Sequence, residues 1–282
     1  MTYLNMFSKS KDKAKVKRPH VFFFQRKMLS IPYVLFLLLF VIGPILIIVL
    51  YAFTDQNMNL SFDALVNFFT TPSKLNVLWV SLFVAFQTTL ICLLIGYPLA
   101  YFLADKHINK NIVLITLFIA PMWINFVLRT WATRDLLSWM GIDGGSYPYL
   151  ATLIGMVQNY LPFVILPLYT TFLKLDKSQI EAAADLGANP RQVFTKSILP
   201  QSVPGIVSAT LMTFMPTMSS YVISDVFSEG KITLFGNFIN LEFNNRLWND
   251  GSLMALIMLV LIGISMFLTR NSSKENSKGA NL

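Results

Sequence analysis

Residues 175–200 read LDKSQIEAAADLGANPRQVFTKSILP, a segment of charged and small residues set between two long apolar runs. The pattern predicts a short helix with Asp176 or Ser178 as N-cap and Ile180, Ala183 and Ala184 on one small apolar face. Gly187 follows as a stop, because glycine takes a left-handed backbone without steric cost. Asn189-Pro190 then begins a second short helix, Arg191 to Ile198, which Pro200 is expected to end. Two short helices that show small side chains suit docking into a cleft on another protein. The plainer alternative is a surface loop packed on itself.

Outward from this loop the chain is apolar. Of its 282 residues 55% are hydrophobic, 14% aromatic and only 13% charged, whereas soluble domains carry about 25% charged residues. Too little polar surface exists to cover a water-soluble body, and the aromatic content is the reverse of a disordered chain. About 20 mostly apolar residues span a bilayer as a helix, and six stretches qualify: 31–53, 77–104, 111–131, 150–173, 203–224 and 252–269. The expected fold is all-α, a polytopic membrane protein of six transmembrane helices. Residues 1–30 form a basic leading segment, 31–270 the membrane domain with the 175–200 loop, and 271–282 a tail. Pro44, Pro98, Pro121, Pro162, Pro167 and Pro216 fall inside the spans, where each removes a backbone donor.

With an even number of spans both termini share a side. That side collects 17 of the 22 Lys and Arg residues and six of the 14 acidic ones. Basic loops stay inside, so both termini and the 175–200 loop are expected to be cytoplasmic. The basic run from Lys9 to Arg18 then reads as an anchor against anionic lipid rather than a nucleic-acid site. The first span exceeds a signal-peptide core and lacks a small-residue cleavage site, so it is expected to be retained.

Little catalytic chemistry is available. Cys92 lies alone in an apolar run, His20 and His107 are far apart, and no phosphate-binding Gly-rich loop occurs. The tryptophans Trp79, Trp123, Trp131, Trp139 and Trp248 fall near span ends or in outer loops, as an aromatic belt would place them. Arg129 reads as a snorkelling or paired structural charge.

The spacing Glu181-Ala182-Ala183, Gly187, Leu199-Pro200 resembles the EAA motif of ABC-importer permeases, the loop that couples a membrane subunit to its ATPase. Ser197 stands where that motif usually has isoleucine, with Ile198 next. The segments Gly96-Tyr97-Pro98-Leu99-Ala100-Tyr101, Pro121-Met122-Trp123-Ile124-Asn125, Leu161-Pro162-Phe163, Asp185-Leu186, Pro204-Gly205-Ile206, Tyr221-Val222 and Gly236-Asn237 are similar to those of the spermidine/putrescine permeases. The likeness runs from the second span to the sixth. It implies a type I ABC-importer permease fold in the bacterial plasma (inner) membrane. It also implies a second homologous permease subunit, two copies of an ABC ATPase and an extracytoplasmic polyamine-binding protein. The chain itself would carry no cofactor, since ATP and Mg would be bound by the ATPase.

On this resemblance Glu181, Ala182, Ala183, Asp185 and Gly187 are assigned to ATPase docking, with Leu199 and Pro200 fixing the loop against the fifth span. A polyamine needs carboxylates for its ammonium groups and aromatic faces for cation–π contact. Tyr221 and Asp225, four apart at the end of the fifth span, are expected on one helix face and become path candidates with Trp123 and Glu242. For Glu242 and Asp250 the plainer reading is a solvated loop face. Related permeases for sulfate, iron or thiamine share the coupling loop, which leaves another small solute as the alternative cargo.

Overall fold

The computed structural model describes residues 30–55, 57–105 and 113–279, with side chains from 31 to 267. The leading basic segment, His20, His107, Lys106 and Lys110 lie outside the described residues, as do the side chains of the tail. The chain divides into two compact units, Met1–Ile47 and Ile48–Leu282.

α1 (Ser30–Leu37), in the first unit, passes through one π-helical turn, Leu38–Ile42, into α2 (Gly43–Ala52), whose last five residues belong to the second unit. The turn stands directly before Gly43-Pro44, and the Gly43 N–H reaches back to the Leu38 carbonyl. An extra residue in that turn makes room for the ring and missing donor of Pro44.

The second unit contains α3 (Asp63–Thr70), α4 (Pro72–Ala104), α5 (Val113–Ile119), α6 (Phe126–Trp139) and α7 (Pro148–Phe172). It continues with α8 (Lys177–Asp185), α9 (Pro190–Val193), α10 (Leu199–Ser219), α11 (Val222–Ser228), α12 (Phe235–Asn244) and α13 (Trp248–Gly279). Among the described residues the only extended pairing is one isolated bridge, Thr54 to Leu60. Among the described residues five helices are long and apolar enough to cross a membrane, six if the bent α5–α6 pair is taken as one span. The all-α expectation holds.

Helices α4, α7 and α10 pack on one another and form the core, with Val84, Cys92, Met156, Val164, Leu168 and Ala209 fully buried between them. Small residues allow the approach. A Cβ on Gly96 would stand 2.7 Å from Val164, and one on Gly205 2.6 Å from the Thr171 hydroxyl. Cys92 is the inert buried residue expected of it.

Two spans depart from the sequence reading. The third is not one helix ending at Trp131: α5 runs into a 3₁₀ turn, Ala120–Trp123, and α6 leaves at 99°. Asn125 caps α6 by accepting from the Val127 and Leu128 N–H groups, 2.9 and 3.4 Å away. The carbonyl of Pro121 at the break accepts from Arg129 Nη1 at 2.9 Å. The same guanidinium donates through Nε and Nη2 to Asn159 Oδ1 of α7, at 3.1 and 2.7 Å, and Asn159 is itself anchored on the Gly155 carbonyl. Arg129 is thus a structural charge held by neutral acceptors, with no ion pair to it among the described residues.

The fifth span begins earlier and ends earlier than expected. Pro200 does not terminate a helix. Instead α9, a π-helical segment Phe194–Ile198 and α10 run on as one stretch from Pro190 to Ser219. The Leu199 N–H bonds the Phe194 carbonyl, so the π turn again stands immediately before the residue preceding a proline. At the other end the helix stops at Ser219, and Ser220 is extended.

Replacing Arg129 with leucine leaves Asn159 Oδ1 without its two donors and the Pro121 carbonyl with the Ile124 N–H alone, at 3.3 Å. A buried unsatisfied acceptor costs about 1–3 kcal/mol, so Arg129→Leu is expected to lower the thermal unfolding midpoint of the detergent-solubilised protein by several degrees. An unchanged midpoint would show that the bend does not depend on this contact.

Candidate functional site

The 175–200 loop folds as two short helices joined at Gly187. Asp176 is the N-cap of α8, accepting from the Ser178 N–H at 3.0 Å and the Ser178 hydroxyl at 2.6 Å. These bonds, the hydroxyl first, hold its carboxyl below the usual carboxylate range. Gly187 takes φ +82°, and its N–H bonds the Ala184 carbonyl while the Ala188 N–H bonds that of Ala183. This is the left-handed stop read from the sequence. Asn189 and Gln192 then form a reciprocal capping box at 2.9 and 3.0 Å, which starts α9.

The loop divides cleanly into an inward and an outward face. Ile180 and Ala183 are half-buried, with Ile180 packed on the core, while Ala184 is exposed rather than part of the apolar face expected for it. Glu181, Ala182, Asp185 and Gly187 are exposed. A Cβ on Gly187 would meet nothing within 4 Å. Leu186 is 89% exposed, an apolar side chain offered at the tip of a polar loop. Leu186 belongs to the Asp185-Leu186 pair of the permease likeness but had no docking role assigned from sequence, although a leucine between Asp185 and Gly187 was itself the signal.

Leu199 and Pro200 do not clamp the loop against a separate span. They are the junction through which the loop becomes α10, Leu199 half-buried and Pro200 exposed. The clamping is done by other residues. Gln201 Oε1 accepts from the Asp176 N–H at 3.0 Å, tying the start of the loop to α10. The Tyr97 hydroxyl and the Ser202 hydroxyl are 2.9 Å apart. The Tyr97 ring stands edge-on to Phe172 of α7 and to Phe194 of the π segment, with centroids 5.1 and 5.9 Å away, and Tyr101 stands edge-on to Phe172 at 5.4 Å. One aromatic cluster therefore joins α4, the end of α7 and the π segment. Aromatic residues three or four apart on α4 hinted at it, but the partners come from two distant helices.

The path candidates fall in three places. Tyr221 and Asp225 are not on the fifth span. Beyond the break at Ser220, Tyr221 caps α11 and its carbonyl accepts from the Asp225 N–H at 3.0 Å, so the two share one exposed turn. Trp123 is 78% exposed at the bend of the third span. Glu242 is not on a solvated face: it is 7% exposed, and Oε1 lies 3.9 Å from Lys74 Nζ, which also binds Asp250 Oδ2 at 2.9 Å. Burial pushes the Glu242 carboxyl above its ordinary value, Lys74 pulls it down, and Asp250 adds to the rise.

A relative from Haemophilus influenzae, the spermidine/putrescine transport system permease protein PotB, is 34% identical over 84% of this chain and 90% of its own length. The chain belongs to the PotB-type family of ABC-transporter permeases. The Escherichia coli PotB is 33% identical over 75% of this permease and 82% of its own length, and a Mycoplasma genitalium homologue is 26% identical over 69%. No protein-family model matches the chain. Among solved structures, the bacterial alginate ABC transporter in complex with its alginate-bound periplasmic protein has a chain that superposes with a TM-score of 0.66 at 14% identity, over 88% of this permease and 93% of that chain. A second structure of an alginate-importing ABC transporter gives 0.59 at 16% identity, over 87% and 94%. The fold is that of an ABC-importer permease, a multi-pass transport subunit of the inner membrane rather than an enzyme.

Because the folded-state value of Glu242 lies above its unfolded one, its contribution to stability is present below the ordinary value of 4.5 and is lost as pH rises through the raised value. Glu242→Gln is expected to flatten that step in a melting profile taken upward from pH 4.5. A variant that keeps the full step would assign the titration to another group.

Proposed function

We propose that this permease is the PotB-type half of the membrane pathway in an ATP-driven polyamine importer. The observation that carries the coupling role is the set of exposed residues Glu181, Ala182, Asp185, Leu186 and Gly187, on a segment capped at Asp176 and joined at Asn189 to the continuous helical stretch Pro190–Ser219. A lever of this kind needs small contacts at its tip and a stiff connection behind it. Glu181, Ala182, Asp185, Leu186 and Gly187 form the tip, the half-buried Ala183 backs it, and Leu199 and Pro200 lie in the connection.

In this reading the loop enters an ATPase subunit on the cytoplasmic side, where both termini also lie, in keeping with the Lys and Arg bias. Two ATPase copies bind ATP and Mg, a second homologous permease supplies the other wall of the path, and an extracytoplasmic binding protein delivers the polyamine. The names of the PotB relatives support spermidine and putrescine as cargo. ATPase closure pushes the loop, α10 turns with it, and the aromatic cluster around Tyr97 passes the motion to α4 and α7. Tyr221, Asp225 and Trp123 are exposed groups of the chemistry that a cationic, partly apolar cargo requires. Glu242 is held by Lys74 and serves the path through the charge it leaves near the outer end.

The test is uptake of labelled spermidine and putrescine into cells lacking this chain, restored with wild type, Gly187→Leu or Leu186→Glu. Wild type is expected to restore uptake, and both variants to lose at least tenfold while reaching the membrane at normal levels. The glycine change adds left-handed strain of roughly 1–2 kcal/mol, but Leu186→Glu adds none, so loss in both isolates docking from strain. Normal uptake by both would remove the docking role. No polyamine uptake with wild type would remove the cargo assignment.

A further inference from the structure

The outer end of α10 is tied to α7 by one tyrosine. Tyr160, buried on α7, donates its hydroxyl to the Pro216 carbonyl at 3.2 Å. In a regular helix that carbonyl would take the Ser220 N–H. Here α10 stops at Ser219, and the Ser220 N–H turns to the Thr217 carbonyl at 3.2 Å. The Ser219 hydroxyl also reaches the Pro216 carbonyl, at 3.1 Å, from within α10 itself. Among the described residues the Tyr160 bond is the side-chain hydrogen bond that joins α7 to α10.

Further in, the same two helices meet without a directional contact. Gly205 packs so closely on Thr171 that a Cβ would stand 2.6 Å from its hydroxyl, and that hydroxyl is committed to the Pro167 carbonyl at 2.8 Å. Such packing is non-directional, whereas a hydrogen bond weakens steeply on misalignment and so fixes a position.

Beyond the break the chain joins another body. Ser220 is extended, and α11 is fixed on α6 and α7. The buried Phe227 ring lies against Gly155 of α7, where a Cβ would stand 2.4 Å from it. The Phe227 carbonyl lies 2.4 Å from a Cβ placed on Gly144 of the α6–α7 loop. Arg134 of α6 pairs with Glu229 at 2.8 Å, and Lys231 Nζ donates to the Gly145 carbonyl. With Arg129 bound to Asn159, next to Tyr160 on α7, these contacts join α6, α11 and the outer half of α7.

We propose that Tyr160 is a positioning residue for transport, the pivot on which the rod Pro190–Ser219 swings. The inference rests on the coupling reading above and adds the fixed point that a lever needs. At about 1.5 Å per residue the rod extends roughly 40 Å inward from Pro216 and roughly 5 Å outward to Ser219. A push at the loop therefore displaces the inner end most and leaves the outer end almost in place. Ser220 takes up the remaining angle, so α11, with Tyr221 at its start, stays on α7.

The experiment uses the complete transporter with its binding protein in proteoliposomes, as wild type, Tyr160→Phe and Ser219→Ala. The first variant keeps the ring and removes the tie between helices. The second removes a donor from the same carbonyl and leaves the tie. ATP hydrolysis and labelled spermidine uptake are measured together. Spin labels on Trp139→Cys and Met212→Cys, exposed on α6 and α10, report the distance between the two bodies in nucleotide-free and vanadate-trapped states. Without further change that distance is expected to be narrowly distributed and the same in both states. Tyr160→Phe is expected to broaden it and to raise the ATP hydrolysed per spermidine imported at least threefold, while Ser219→Ala changes neither. A merely structural tyrosine would lower hydrolysis and uptake together at a constant ratio, and that result would overturn the pivot. So would an equal effect of Ser219→Ala, a distance that Tyr160→Phe leaves unaltered, or one that already changes with nucleotide before Tyr160 is replaced. The distances need no cargo, so if the wild type imports no polyamine the cargo reading fails and they alone decide the pivot.

Discussion

Inside a bilayer a backbone group released from its helix must find another partner, because no water is there to take it. Three prolines, Pro44, Pro121 and Pro200, stand at departures from regular α-helix, and the local architecture there follows from how each is satisfied. At Pro121 the remedy is a side chain: Arg129 reaches back to the freed carbonyl and ties the bend to Asn159 of α7. Before Pro44 and Pro200 the remedy is a change of register, a single π turn whose last N–H reaches five residues back. The first solution gives a sharp corner held against the core. The second keeps a helix continuous.

That continuity is what makes the docking loop mechanically useful. Had Pro200 ended the helix, the loop would hang from the membrane domain on a flexible joint. Instead α9, the π segment and α10 form one rod, and the hydroxyl contact between Tyr97 and Ser202 ties its α10 part to α4. Phe194 adds a second grip through the same tyrosine ring. The apolar tip at Leu186 is then a contact point on a rigid arm, held at the distance that two caps and one left-handed glycine fix.

Much of this was legible in the sequence, for reasons that can be stated residue by residue. Span count follows from the length of the apolar runs, and the loop from Asp176, Gly187 and Asn189, whose capping and backbone preferences are local. What stayed hidden depends on partners far away in the chain. Arg129 was readable as a structural charge, but not as the brace of a broken span, because its acceptors lie on α7 and on the far side of the bend. The run through Pro200 was hidden because proline ordinarily stops a helix, and a π turn leaves no sequence signature of its own. Glu242 looked like a loop acid until Lys74, at the start of α4, was found beside it. Tyr221 and Asp225 kept their spacing but moved to another helix, since the break at Ser220 has no proline or glycine to announce it.

The central claim is that force on the loop reaches the path through the rod and its aromatic grip. ATP hydrolysis and labelled polyamine uptake measured together in proteoliposomes carrying Phe194→Ala test it most directly. The account predicts that hydrolysis continues while uptake falls, so that far more ATP is spent per cargo molecule than in the wild type. An unchanged ratio of ATP hydrolysed to polyamine imported would contradict it.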